Sequence, residues 1–310
     1  KSINADLEPN ADYFLDIPEL GERIIEEMCG FTNSIDEKKK YCTLYDYILI
    51  TFFLGNDFMP HFPSMNIRTG GISILLSAYK NTVYSAGLNL TDGKTICWGN
   101  LRRMITWLAD NEESNLKQEY KLRSRWEKRS YKSGTIEEKL KKLDNIPTKS
   151  RASEYFIDPY SKYWQTRYYN ELFDSDPNKL FIKEICNNYM EGLEWVMRYY
   201  TEGCCDWNWH YKYHYPPLLK DLLMYIPHWE TVMIEENVNK PIKPFTQLAY
   251  VLPRHSLSLL PTNIKTKLLS EYSDNYPDDC KIIWAFCKYF WESHVDLPSI
   301  DLTELIAITN

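Results

Sequence analysis

Apolar residues recur along the chain mostly at the spacing of helices. Between residues 13 and 30, Leu20, Ile24 and Met28 fall on one helical face. Asp16 is placed to cap that helix, Pro18 suits its first turn, and Gly30 stands just past its last apolar position. Residues 45–54 are almost continuously apolar and end at Gly55. A run that short is compatible with strand or helix; the reading adopted is a buried helix that delivers Gly55 to a sharp turn. Further helices are expected at 71–80, at 97–110 with Leu101, Ile105 and Leu108 on one face, and at about 160–173 and 178–200. Residues 203–217 read as a loop, and Ile282-Ile283-Trp284-Ala285-Phe286 as a short strand among proline-marked turns. The expected fold class is mainly α with minor β.

Composition modifies this picture at three points. With 310 residues, 44% of them hydrophobic, the chain is long enough for one large domain or two ordinary ones. Its 24 Tyr and 10 Trp exceed what a core requires. Such a surplus fits a surface that stacks on planar groups, and equally an A·T-rich coding sequence. A net charge of −7 argues against a protein that coats nucleic acid non-specifically, but leaves room for acid and base gathered at separate places. Residues 121–151 hold eleven Lys and Arg against four Asp and Glu, either a charged helical arm or a mobile loop. The eight cysteines form no Cys-x-x-Cys pair, so zinc spacing is absent and they read as reduced thiols of a cytosolic or nuclear compartment. No run approaches the ~18 apolar residues of a membrane span, so no membrane partner is expected.

Three segments carry candidate chemistry. Gly55-Asn56-Asp57 follows an apolar element: glycine permits the turn, asparagine orders it, and the aspartate offers oxygen to a hard divalent ion. Taken alone, such an aspartate also reads as a helix cap, and the nearby His61 as a hydrogen-bonded core histidine. Residues 203–217, Gly-Cys-Cys-Asp-Trp-Asn-Trp-His-Tyr-Lys-Tyr-His-Tyr-Pro-Pro, concentrate rings able to stack on bases or to fasten the loop to the body. In 160–169, Arg167 is able to hold a phosphate or a carboxylate, or simply to belong to a packed amphipathic helix.

In this order the segments resemble the XRN family of 5′→3′ exoribonucleases. The resemblance runs through residues 46–80 around Gly-Asn-Asp-Phe-Met-Pro-His, 160–173 with Arg-Tyr-Tyr, and 189–217 through Trp-Asn-Trp to Tyr-His-Tyr-Pro-Pro. It continues through Pro244-Phe245-Thr246-Gln247-Leu248 and Tyr289-Phe290-Trp291-Glu292 to Leu297-Pro298. The resemblance implies the C-terminal helical half of a catalytic region whose other half is an α/β PIN/flap-nuclease-like domain. By that comparison, residues 1–120 end the nuclease core, 121–155 form a basic arm or linker, and 156–310 form a second, helical region with the aromatic loop. It implies processive hydrolysis of single-stranded RNA from a 5′-monophosphate, with Mg²⁺ or Mn²⁺, two ions, held by a cluster of acids. Asp57 matches the family's metal-binding aspartate. Trp207 and Trp209 both fall where the family stacks a tryptophan on a base. His61 and Arg68 lie in its pattern for the metal or RNA path, with Gly55, Asn56 and His214 in support. The family's other metal ligands and its 5′-phosphate pocket belong to motifs that precede Lys1, so the chain alone is expected to be inactive. The competing expectation is a catalytically degenerate homologue that binds RNA or acts as a scaffold. The Trp-Asn-Trp to Tyr-Pro-Pro region speaks against a flap endonuclease.

Overall fold

Asp16 accepts a hydrogen bond from the Glu19 N–H at 3.0 Å and starts α1 (Ile17–Cys29), with Pro18 in its first turn. These come from a computed structural model that describes residues 12–30, 36–237 and 239–309. Gly30, at φ 80°, ends the helix. Only the C-terminal half of α1 reaches the core: Ile25 and Met28 are buried, whereas Leu20 is exposed. Asp36 caps α2 (Glu37–Thr51), which tightens into a 3₁₀ turn at Phe52–Leu54 before Gly55. The apolar run at 45–54 is therefore the buried end of a longer helix, as expected.

Helix α3 (Gly71–Thr82) precedes α4 (Trp98–Glu127), whose 30 residues make it about 45 Å long. Beyond it, the basic segment is ordered. A capping box of Thr135 and Glu138 starts α5 (Ile136–Asp144), and α6 (Ala152–Ile157) follows. Helices α7 (Trp164–Phe173) and α8 (Lys179–Thr201) lead into the aromatic loop, then α9 (Leu219–Tyr225). Helices α10 (Pro244–Val251), α11 (Thr262–Glu271) and α12 (Leu302–Thr309) close the chain. Between α11 and α12, β1 (Lys281–Ile283) pairs antiparallel with β2 (His294–Asp296), Ile282 opposite Val295. This hairpin is the only sheet among the described residues.

The core forms three clusters. The first joins Phe53, Phe62, Leu75 and Tyr79 to Leu101, Ile105 and Leu108 of α4, to Tyr189, Leu193 and Val196 of α8, and to Leu222 of α9. The second gathers Leu116 and Tyr120 from farther along α4 with Tyr168, Tyr169, Ile185 and Phe286. The third holds Ala249, Leu257, Ile264, Leu268 and Leu305. Helix α4 runs unbroken past residue 120, and the first cluster draws on residues from both sides of it. The packing therefore does not divide there.

Two arginines of the basic segment are buried rather than solvated. Arg123 pairs with Glu154 at 2.5 Å and donates to the carbonyls of Phe286 and Cys287 at 3.1 and 2.9 Å. Arg151 pairs with the same Glu154 at 2.5 Å. The three side chains tie α4 to α6 and to the loop after β1.

Candidate functional site

Gly55 lies at φ 86°, and a Cβ there would come within 3.0 Å of the backbone nitrogen and Cβ of His61. Glycine is thus required both by conformation and by close approach. Asn56 completes the turn: its Oδ1 accepts from the N–H groups of Phe58 and Met59 at 2.9 Å each, and its own N–H donates to the Met59 carbonyl at 3.0 Å. Asp57 is exposed at the tip of this turn, and its carboxylate has no hydrogen-bond or ion-pair partner among the described residues. The turn is anchored by buried Met59, Phe62 and Met65, and by Phe58 packing edge-on against Trp195 at 4.9 Å.

Beside the turn lies a cleft of about 340 Å³. Gly55, Asn56, His61, Arg68 and His214 line it, so five of the residues singled out in the sequence come together. The Nε2 of His61 and the Nδ2 of Asn56 are both buried without a partner among the described residues. Unsatisfied polar groups of this kind call for an explanation, and a ligand in the cleft supplies one. Burial, with Arg123, Arg68 and His294 adding repulsion, pushes the His61 pKa down to about 4, so its imidazole is neutral at physiological pH. His214 and His294 stack at 4.6 Å, and burial lowers both, His294 to about 4. Arg68 pairs with Glu292 at 2.7 Å, its guanidinium over the rings of Tyr289 and Trp291 at 5.4 and 5.8 Å. Thr69 donates to Glu119 of α4 at 2.6 Å and fixes the base of the Arg68 loop.

Asp57 does not line the cleft but stands on the turn that forms one side of it. The two tryptophans part company. Trp207 is 47% exposed, held through its backbone N–H to Asn239 Oδ1 at 2.8 Å. Trp209 packs on the core, its ring stacked on Trp195 at 5.4 Å. Neither lines the cleft. Much of the aromatic loop is internal fastening: the Tyr211 hydroxyl donates to the Tyr215 carbonyl, and Tyr168 donates to that of Pro216. Arg167 is not free for a phosphate, because it donates to the carbonyls of Phe156, Ile157, Asp158 and Lys162, closing the end of α6.

Among the lining residues that sequence reasoning did not single out for the cleft are Tyr215, Phe286, Trp291, Glu292 and His294. All but Tyr215 arrive with the β1–β2 hairpin, far from Gly55 in sequence. Their signal was confined to the Tyr-Phe-Trp-Glu stretch at 289–292. No group of three or more His, Cys, Asp or Glu able to hold a metal ion is found among the described residues. All eight cysteines are free thiols. No helix of the described residues is long and apolar enough to cross a membrane.

Fold and cleft together define a helical module that carries an exposed aspartate turn beside a histidine-lined cavity. The chain belongs to the XRN family, matching the family model described as the Xrn1 helical domain over residues 40–159 and 148–310. Its relatives include a 5′-3′ exoribonuclease 2 homolog of Drosophila melanogaster, 30% identical over 304 residues that cover 83% of this chain and 33% of the fly protein. The 5′-3′ exoribonuclease 2 of Arabidopsis thaliana is 27% identical, covering 84% and 34%. Human 5′-3′ exoribonuclease 1 is 25% identical, covering 84% of this chain and 17% of its own length. The chain thus spans less than half the length of these curated relatives, about a third of the fly and plant proteins and 17% of the human one.

Proposed function

We propose that this chain supplies one metal-binding acid and part of the substrate cleft of a 5′→3′ exoribonuclease acting processively on single-stranded RNA with a 5′-monophosphate. The observation that supports it best is the Asp57 turn, where a rigid backbone presents an unpartnered carboxylate next to a cleft with buried, unpartnered nitrogens. A carboxylate oxygen suits Mg²⁺ or Mn²⁺. One aspartate is too little for two ions, so the remaining acids would come from another part of a longer protein. Bound divalent ions would supply an activated water and stabilise the leaving oxygen. Within the cleft, the neutral His61 would meet the RNA as a hydrogen-bonding ring rather than a cation. Arg68, held by Glu292, Tyr289 and Trp291, would set the shape of the cleft wall. Trp207 rather than Trp209 would stack on a base, because its ring is the more exposed of the two and Trp209 is half-buried against the core.

The test is Asp57→Asn in the longer protein, with nucleotide release from 5′-monophosphorylated RNA measured in Mg²⁺. Release should fall by more than the ~10–100-fold typical of losing an outer-shell partner of a metal, while the melting temperature holds. Full activity in that variant would remove Asp57 from the metal site. Purified chain 1–310 should not hydrolyse the same RNA. Hydrolysis by it would overturn the division of the acids between this chain and another part. A longer protein that binds RNA but never cleaves it would favour the scaffold instead.

A further inference from the structure

The end of α4, the connection to α5 and α5 itself fold over the Phe290–Glu292 turn and leave a second pocket of about 890 Å³. That size lies within the roughly 300–1,000 Å³ usual for ligand sites. Lys288 lines it and is only 7% exposed. Its ammonium sits 4.1 Å from the ring centre of Trp126 and 5.3 Å from that of Tyr289. No carboxylate lies within ion-pairing distance of it among the described residues. A cation buried without a direct ion-pair partner is costly. The cost shows in its pKa, which burial, Arg129 and Arg123 push down against a smaller opposing pull from Glu292.

The same pocket is lined by Arg129, Lys132 and Lys141. Of its two acids, Glu138 is engaged in capping α5, accepting from the N–H groups of Gly134 and Thr135 at 2.8 and 3.3 Å. The two acids stand against four cations, a net excess of two positive charges, so the pocket fits an anion. Trp291, 68% exposed, lines both this pocket and the His61 cleft. Clustered cations beside an open aromatic ring form the arrangement that holds single-stranded nucleic acid without reading its sequence.

We propose that this pocket is a second contact site for single-stranded RNA, taking backbone phosphate on Lys288, Arg129, Lys132 and Lys141 and a base on Trp291. It rests on the exoribonuclease reading for the nature of the polymer, but uses neither Asp57 nor a metal ion. The test is fluorescence anisotropy of the purified chain with a short labelled RNA carrying a 5′-hydroxyl, in EDTA. The variant Lys132→Glu/Lys141→Glu should weaken binding at least about tenfold and flatten its salt dependence. The matched pair Lys139→Glu/Lys142→Glu, on α5 but outside the pocket, should change it little. Equal losses in the two pairs, no loss in the first, or a nucleoside monophosphate binding as tightly as the oligomer would each overturn the proposal. A longer protein that fails to hydrolyse RNA, while the first pair still loses binding, would sink the catalytic reading and leave this one standing.

Discussion

At position 55 an alanine would meet two separate obstacles. Its φ of 86° with ψ of 150° lies in a region kept essentially for glycine and is costly for any residue with a Cβ, by roughly 1–3 kcal/mol, and its methyl would press on the His61 backbone at 3.0 Å. Gly55→Ala is therefore expected to lower the urea midpoint and to shift the His61 imidazole resonances, reporting a displaced cleft wall. This requirement was legible in the sequence, because a glycine between an apolar run and Asn-Asp signals a positive φ locally. The division between Trp207 and Trp209 was not. It depends on Gly192 of α8, where a Cβ would lie 2.8 Å from the Trp209 ring and 2.3 Å from Met59 Sδ. No neighbour in sequence carries that information. The difference has a measurable consequence. Trp209→Ala should lower stability clearly, by less than the ~3–5 kcal/mol of a fully buried ring, because Trp209 is half-buried against the core. Trp207→Ala should leave the melting temperature nearly unchanged and, on the proposed reading, slow RNA degradation by the longer protein.

Among the elements, the starts of α1 and α2 were marked by Asp16 and Asp36, although only the first was read as a cap. The extent of α4 was hidden. Its expected face ended near residue 110, but the helix continues to Glu127 because its second half buries Glu112, Glu119 and Arg123. Buried charges disguise a helical face as a solvated one. Glu112 shows what holds such a residue in place: its Oε1 accepts from the Leu219 N–H at 2.8 Å, at the start of α9. Burial nevertheless pushes its pKa up from 4.5 to about 8. The sign follows from linkage. A carboxyl whose folded pKa lies above its unfolded value contributes stability that is fully present below pH 4.5 and lost as pH rises through about 8. At about 1.4 kcal/mol per unit, that loss amounts to a few kcal/mol. Glu112→Gln keeps an oxygen for Leu219 and cannot ionise. Its urea midpoint should stay level across that window while the parent's falls; parallel curves for the two proteins would contradict the assignment.

For the whole molecule, the charge of −7 conceals a local excess of cations around Lys288, which the basic count at 121–151 signalled without saying which of its members turn inward. The division into regions at 120 and 156 came from the family resemblance together with the basic run at 121–151; α4 and α8 serve the first two clusters in common. The third cluster stands apart. Helices α10, α11 and α12 pack on one another around Ala249, Leu257, Leu268 and Leu305, pinned by Tyr276 donating to the Ala249 carbonyl at 2.7 Å and by Thr246 meeting Thr309 at 2.5 Å. A small cluster buries little apolar area, so the free energy that keeps it closed is correspondingly small. Native-state hydrogen exchange should therefore show the amides of α10–α12 opening together at low denaturant. Those of α4 and α8 should exchange only with global unfolding. The variant Leu108→Ala, in the first cluster, should accelerate exchange in α4 and α8 and leave the protection of α10–α12 untouched, because that cluster stays intact when the C-terminal helices open by themselves. Equal acceleration in α10–α12 would mean that the C-terminal helices unfold as one unit with the body that carries the cleft.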